Sequence, residues 1–159
     1  MAIDKAKAAE NVFNTIIKHL DGAGLKYKVM DGRDGDYMIN FTMKGKDLPM
    51  EFFIVVDVKR ELIMIKSPDF TSFPAEKIGD AAKAVCAINY AIADGSYALD
   101  VKDGHLMWTM TSSYAGSLIS EEVIHYMIAI SIITVDKFND MFMMLNMGIL
   151  DIDTFIEKI

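Results

Sequence analysis

The 159-residue chain is 52% hydrophobic and 25% charged, a globular composition long enough for one domain that buries about 70% of its unfolded surface. A formal charge of −7, with Lys and Arg scattered, argues against nucleic acid or an anionic membrane surface as the main partner. Cys86 is the single cysteine, so an internal disulfide is excluded and a reducing compartment is the natural home.

The first residues, Met1-Ala-Ile-Asp-Lys-Ala-Lys, lack the apolar core of a signal peptide, and a cytoplasmic protein is expected. Asp4 is placed to cap a first helix that ends near Gly22. Ala9, Val12, Phe13, Ile16, Ile17 and Leu20 share one face of that helix, with Lys5, Glu10 and Lys18 off it.

Four strand-like runs follow. Leu25, Tyr27 and Val29 alternate with lysines, and after the turn-rich Asp31–Asp36 segment Tyr37, Ile39, Phe41 and Met43 alternate with polar residues up to Lys44. This period of two predicts half-buried antiparallel strands. Pro49 precedes Met50–Val58, whose Phe52–Val56 core is apolar on both faces and is the candidate central strand. Lys59-Arg60-Glu61 turns the chain into Leu62–Ile65, and Ser67-Pro68 ends the meander.

Asp69–Phe73 reads as a connector and Pro74 suits a first helical turn. Ile78, Ala81, Ala82, Val85, Ile88 and Ile92 are the expected buried stripe of a second helix, with Ala84, Ala87 and Ala91 on a narrow second side and Asp94-Gly95 as its stop. Ser96–Lys102 and His105–Ser112 then read as a hairpin around a type I′ Asp103-Gly104 turn. The loop Ser113–Ile119 leads to a long helix, Ser120–Met147, closed by Gly148, and Asp151–Ile159 supplies one or two last turns. Strands and helices come in segregated runs without a repeated β-α-β unit. The expected class is therefore α+β, an antiparallel sheet covered by helices in the order α-β-β-β-β-α-β-β-α, forming a single domain over residues 1–159.

This order, with Asn89, the stretch Gly95-Ser-Tyr-Ala-Leu-Asp100 and Asp103-Gly104, resembles the YbjN-like family of bacterial sensory-transduction regulators. The resemblance covers the whole chain in topology and rests on structural residues: a helix Asn, the Gly that ends that helix, and a Gly-containing hairpin. It implies the fold of the type III secretion chaperones. It also implies a small acidic protein that binds another protein, as a dimer, and it brings no catalytic residues with it.

Motifs for chemistry are sparse. His19, His105 and His125 sit on three different elements, and Asp31, Asp34 and Asp36 lack the spacing of a calcium loop; no metal or other cofactor is expected. Cys86 stands mid-helix among Ala84, Val85, Ala87 and Ile88, the setting of an inert small hydrophobe. Neither a nucleophile elbow nor a phosphate-binding Gly loop occurs, so a non-enzymatic protein is the primary reading. The alternative is a small-ligand-binding protein or enzyme with a pocket between sheet and helices, with Trp108, His105 or Asp57 at its mouth.

The long helix poses the functional question. Its segment Val123–Val135 is apolar on nearly every side but, at thirteen residues, too short to cross a bilayer, for which about 20 are needed. Ile124, Met127, Ile128, Val135, Phe138, Phe142 and Leu145 form the core stripe. Tyr126, Ala129, Ile130, Ile133 and Met144 fall on the far side, where exposure of each large apolar side chain would forfeit about 1.5–3 kcal/mol. Met141, Met143, Met144 and Met147 cluster at its end, among 13 methionines in the chain, and thioethers adapt to varied apolar partners. The expected protein-interaction residues are Tyr126, Ile130, Ile133, Met141, Met143, Met144 and Met147, facing a second copy in a homodimer or an unidentified protein client. The competing intrachain reading has the first helix or the terminal segment cover this face.

Overall fold

The first helix, α1 (Lys5–Gly22), begins where the Asp4 carboxylate accepts from the Ala6 amide at 3.0 Å, and it buries Ala9, Val12, Ile16 and Leu20. The structure, a computed structural model, describes residues 4–68 and 71–159; Asp69 and Phe70 of the expected connector, and the three residues before Asp4, lie outside them. Strands β1 (Tyr27–Asp31), β2 (Tyr37–Lys44), β3 (Pro49–Asp57) and β4 (Leu62–Ser67) follow as an antiparallel meander. A 3₁₀ turn at Ala75–Lys77 leads into α2 (Ile78–Ala91), then β5 (Ser96–Leu99), β6 (Leu106–Ser113), α3 (Glu121–Met147) and α4 (Ile152–Glu157).

The six strands are ordered β1-β2-β3-β4-β6-β5, every pairing antiparallel, and the α+β class and element order expected from the sequence are those observed. Alternation decides which face is covered. Ile39, Phe41, Phe52, Ile54, Val56, Ile63, Ile65, Leu106, Trp108 and Met110 all point to the helix side and are buried. There α1 and α3 lie over the middle strands while α2 packs on β5 and against α4.

The residues that carry the family resemblance hold the β5 edge. The Asn89 side chain donates to the Tyr97 carbonyl at 2.9 Å and accepts from the Tyr97 amide at 2.8 Å, doing for edge strand β5 what a neighbouring strand would do. Gly95, at φ +70°, lies against the indole of Trp108, so close that a Cβ would sit 2.2 Å from a ring atom.

Two local expectations are corrected. The Asp103-Gly104 type I′ turn does not form: Leu99 pairs with Leu106 and the loop between them spans Asp100 to His105. Gly104 is at φ +77° but Asp103 is not in the positive-φ region, as a type I′ turn requires. Tertiary docking overrides the local preference, because the Phe73 amide donates to the Gly104 carbonyl at 2.9 Å and a Cβ on Gly104 would meet the Phe73 carbonyl oxygen at 1.9 Å. In α2, Ala84 is buried with Ala81 and Ile88, while Ala82 and Cys86 are exposed. The 3-4 spacing of Ala81, Ala84 and Ile88 turns Cys86 to the opposite side, so the thiol is not the packed hydrophobe its neighbours suggested.

Asp57 has a structural task. Its carboxylate accepts from the Arg60 amide at 2.7 Å and the Arg60 Nε at 2.6 Å, and its carbonyl accepts from the buried Tyr114 hydroxyl at 3.0 Å. The Arg60 amide, with the guanidinium adding to it against the cost of burial, holds the Asp57 carboxyl below the usual carboxylate range. Burial pushes the Tyr114 hydroxyl up to about 12.

Two outcomes are predicted. Gly95→Ala combines a left-handed backbone with a clash against Trp108 and should destabilise by about 2–4 kcal/mol in denaturant unfolding. Asp57→Ala should cost about 1–3 kcal/mol at neutral pH. Because the folded Asp57 pKa lies below the unfolded value, its contribution is full above about pH 4 and is lost as pH falls through the folded pKa. Unfolding curves of the native and variant proteins should therefore converge in acid.

Candidate protein-binding surface

The start of α3 is fixed by local electrostatics. Ser120 accepts from the Val123 amide at 3.4 Å, and Glu121 and Glu122 occupy the positive end of the helix dipole. Lys18 of α1 reaches Glu121 at 2.8 Å, which raises the lysine pKa, and the Ser120 hydroxyl lowers that of Glu122. His19 and His125 meet edge-on at 5.2 Å between their rings, across the same α1–α3 contact. The inner stripe is as expected, with Ile124, Met127, Ile128, Val135, Phe138, Phe142 and Leu145 all buried.

The outer side is divided. Ile133 and Met147 are 62% and 67% exposed, and Tyr126 is 47% exposed. The Tyr126 hydroxyl donates to the Asp94 carboxylate in the α2–β5 loop, a bond that raises the tyrosine pKa and pins the ring. Ile130, Met141 and Met144 are half-buried against the core, and Met143 is half-buried too, so the chain itself covers part of these four side chains. What stays open is an upstream patch of Val123, Tyr126, Ile130 and Ile133 and a downstream patch of Met144 and Met147, with Lys137 and Asp140 between them. Lys137 stands 4.8 Å over the Phe138 ring, and Asp136 accepts from the Lys46 amide at 2.7 Å.

Two exposed apolar residues lie outside the expected surface: Leu118, 93% exposed in the loop before the Ser120 cap, and Tyr90, 94% exposed on α2. The signal for Leu118 was a large apolar residue in a segment with no regular period. Tyr90 lies off the Ala81-Ala84-Ile88 stripe and was legible from helical phase alone.

The pocket expected between sheet and helices is not built from Trp108, His105 and Asp57. Trp108 is wholly buried, His105 lies in the exposed β5–β6 loop near Asp103, and Asp57 is engaged by Arg60. A cavity of about 370 Å³ does open between α1 and the loop before α3, lined by Lys7, Asn11, Val12, Thr15, Leu118 and Ile119 among others. A smaller one, about 110 Å³, lies where Pro49, Ser67 and Asn139 meet. Neither is lined by the three expected residues. Among the described residues, no three or more His, Cys, Asp or Glu are grouped to hold a metal ion, and no helix is long and apolar enough to cross a membrane.

The fold is similar to that in the crystal structure of the ExsC–ExsE complex, with a TM-score of 0.53 and 12% identity over 82% of this chain and 91% of that one. It is also similar, at a TM-score of 0.48 and 12% identity, to the HopA1–SchA chaperone–effector complex, over 80% of this chain and 91% of that one. The secretion-chaperone-like arrangement expected from the family resemblance is thus the fold adopted. No curated protein matches the chain. The YbjN family, described as "Putative bacterial sensory transduction regulator", matches residues 13–143. That match takes in most of the chain, from α1 into the last turns of α3, and the protein belongs to the YbjN family.

Proposed function

We propose that this protein is a non-enzymatic protein-binding module of regulator or chaperone type, acting in the cytoplasm through the outer face of α3. The observation that carries the reading is the exposure of Tyr126, Ile133 and Met147 on one side of a helix whose other side is fully used by the core. Large apolar side chains aligned on one face, in two patches with Lys137 and Asp140 between them, mark a contact surface rather than scattered exposure. Half-buried Ile130, Met141, Met143 and Met144 form the floor on which a partner would pack. Membership of a family of regulators and a fold shared with a two-protein complex support the same reading.

Two occupants suit this face, a second copy of the chain and an apolar segment of a client. The homodimer is supported by the spacing of the two patches, Val123 to Ile133 and Met144 to Met147, on one side of a continuous helix with Lys137 and Asp140 between them. The client is supported by its methionines, whose flexible thioethers repack against different partners.

A double variant, Ile133→Glu with Met147→Glu, tests the proposal. Both positions are exposed, so stability should change by no more than about 0.5 kcal/mol each. The variant is expected to lose its co-purifying partner or, in light scattering, to fall to half the native mass. Unchanged mass together with an unchanged set of partners would overturn the proposal.

A further inference from the structure

The face of the sheet away from the helices carries a second, differently charged apolar surface. Alternation places Met30, Met38, Val55 and Met64 in one row across β1, β2, β3 and β4, each opposite the next in register. Phe53 lies in the neighbouring row, between Asn40 on β2 and Lys66 on β4, and Lys28 ends that row on β1. Met30, Met38, Phe53 and Val55 are half-buried, and Met64 is buried at the end of the row, where the Arg60 guanidinium donates to its sulfur at 3.8 Å; none of the five is among the side chains packed on the helix-side core.

The charges around this row oppose those of the whole molecule. The chain is −7 overall, but the strand residues on this face are Lys28, Lys44 and Lys66 against Glu51 and Asp57. Asp57 is neutralised by Arg60, and Glu51 accepts a hydrogen bond from Asn40. None of the three lysines forms an ion pair among the described residues. A second copy laid face to face would set these cations against each other.

The backbone narrows the occupant further. Strands β2, β3 and β4 are paired on both sides, so over them this face offers side chains and no free ladder positions, and in this row only the outer edge of β1 is unpaired. A polypeptide lying across it must satisfy its own backbone, which an α-helix does and an extended strand does not. The row of four spans three interstrand spacings of about 4.8 Å, close to 14 Å, the length of about ten helical residues.

We propose that the open face of the sheet docks an acidic amphipathic helix of another polypeptide, its apolar side on Met30, Met38, Phe53 and Val55 as far as the Arg60-covered Met64, and its carboxylates toward Lys28 and Lys66. This rests on the protein-binding reading above but assigns a separate surface and the chemistry of its partner.

The methionine methyls report on both surfaces at once. The full chain labelled at methionine methyls is titrated, in separate NMR experiments, with a synthetic amphipathic helix of about three turns bearing Leu on one side and Glu on the other, and with its Lys counterpart. The Glu peptide should shift Met30, Met38 and Met64, and the Lys peptide should bind at least about tenfold more weakly. The Lys28→Glu, Lys66→Glu double variant should reverse that order. Equal binding of the two peptides, or no shift at Met30, Met38 and Met64, would overturn the inference. So would concentration-dependent shifts of these three methyls without peptide, which would mean that a second copy covers the face. Shifts confined to Met144 and Met147 would overturn it while leaving the α3 reading in place.

Discussion

An aromatic cluster ties the hairpin strands β5 and β6 to α3, α4 and the connector before α2. Tyr97 of β5 packs edge-on against Trp108 of β6 at 5.2 Å and lies 5.0 Å from Phe142 of α3, with Phe138 at 6.5 Å. Phe142 in turn meets Phe155 of α4 at 5.3 Å and Phe73 of the connector at 6.3 Å. All six rings are buried, each contributing about 1.5–3 kcal/mol, with oriented ring pairs adding about 0.5–1.5 kcal/mol. The Tyr97 hydroxyl donates to the Thr134 carbonyl at 3.3 Å, and burial pushes its pKa far above the usual tyrosine range. With Phe138 and Phe142 committed inward, the rotation of α3 is set. Ile133 and Met147 are turned out as a consequence of the core.

Much of this was legible in the sequence, where period and capping chemistry agree. The α1 stripe from Ala9 to Leu20, the alternation of Ile39 and Phe41, the Ser120 cap and the inner stripe of α3 all appear where 3.6- and 2-residue periods put them. The β5–β6 turn was not, because the Asp103-Gly104 signal is local while the docking of Phe73 onto Gly104 joins residues 31 positions apart. In α2, alanines at every phase left the buried side ambiguous, and Ala82 and Ala84 exchanged places. The α3 surface was legible in outline only. Periodicity marks Ile133 and Met147 as outward, but it carries no information on the Tyr126–Asp94 bond or on how far Ile130, Met141 and Met144 sink into the core.

The two surfaces differ in the physics that would govern binding. The two outer patches of α3 are apolar and the Lys137 and Asp140 between them are of opposite sign, so a partner there would be held by desolvated contact area and released slowly. The open face of the sheet ringed by Lys28, Lys44 and Lys66 would attract acidic partners from a distance, with a dependence on salt that the α3 face would lack. A module with both could hold two segments of one polypeptide, and the fold places its helices so that neither surface blocks the other.

The central claim is that another polypeptide lies against the outer face of α3. A photo-crosslinking residue placed at Ile133 in the full chain, in its native cell, tests it most directly, with the same residue at exposed Tyr90 of α2 as the control. The account predicts a discrete adduct from position 133 that position 90 does not give. The absence of an adduct at 133, or the same adducts from both positions, would contradict it.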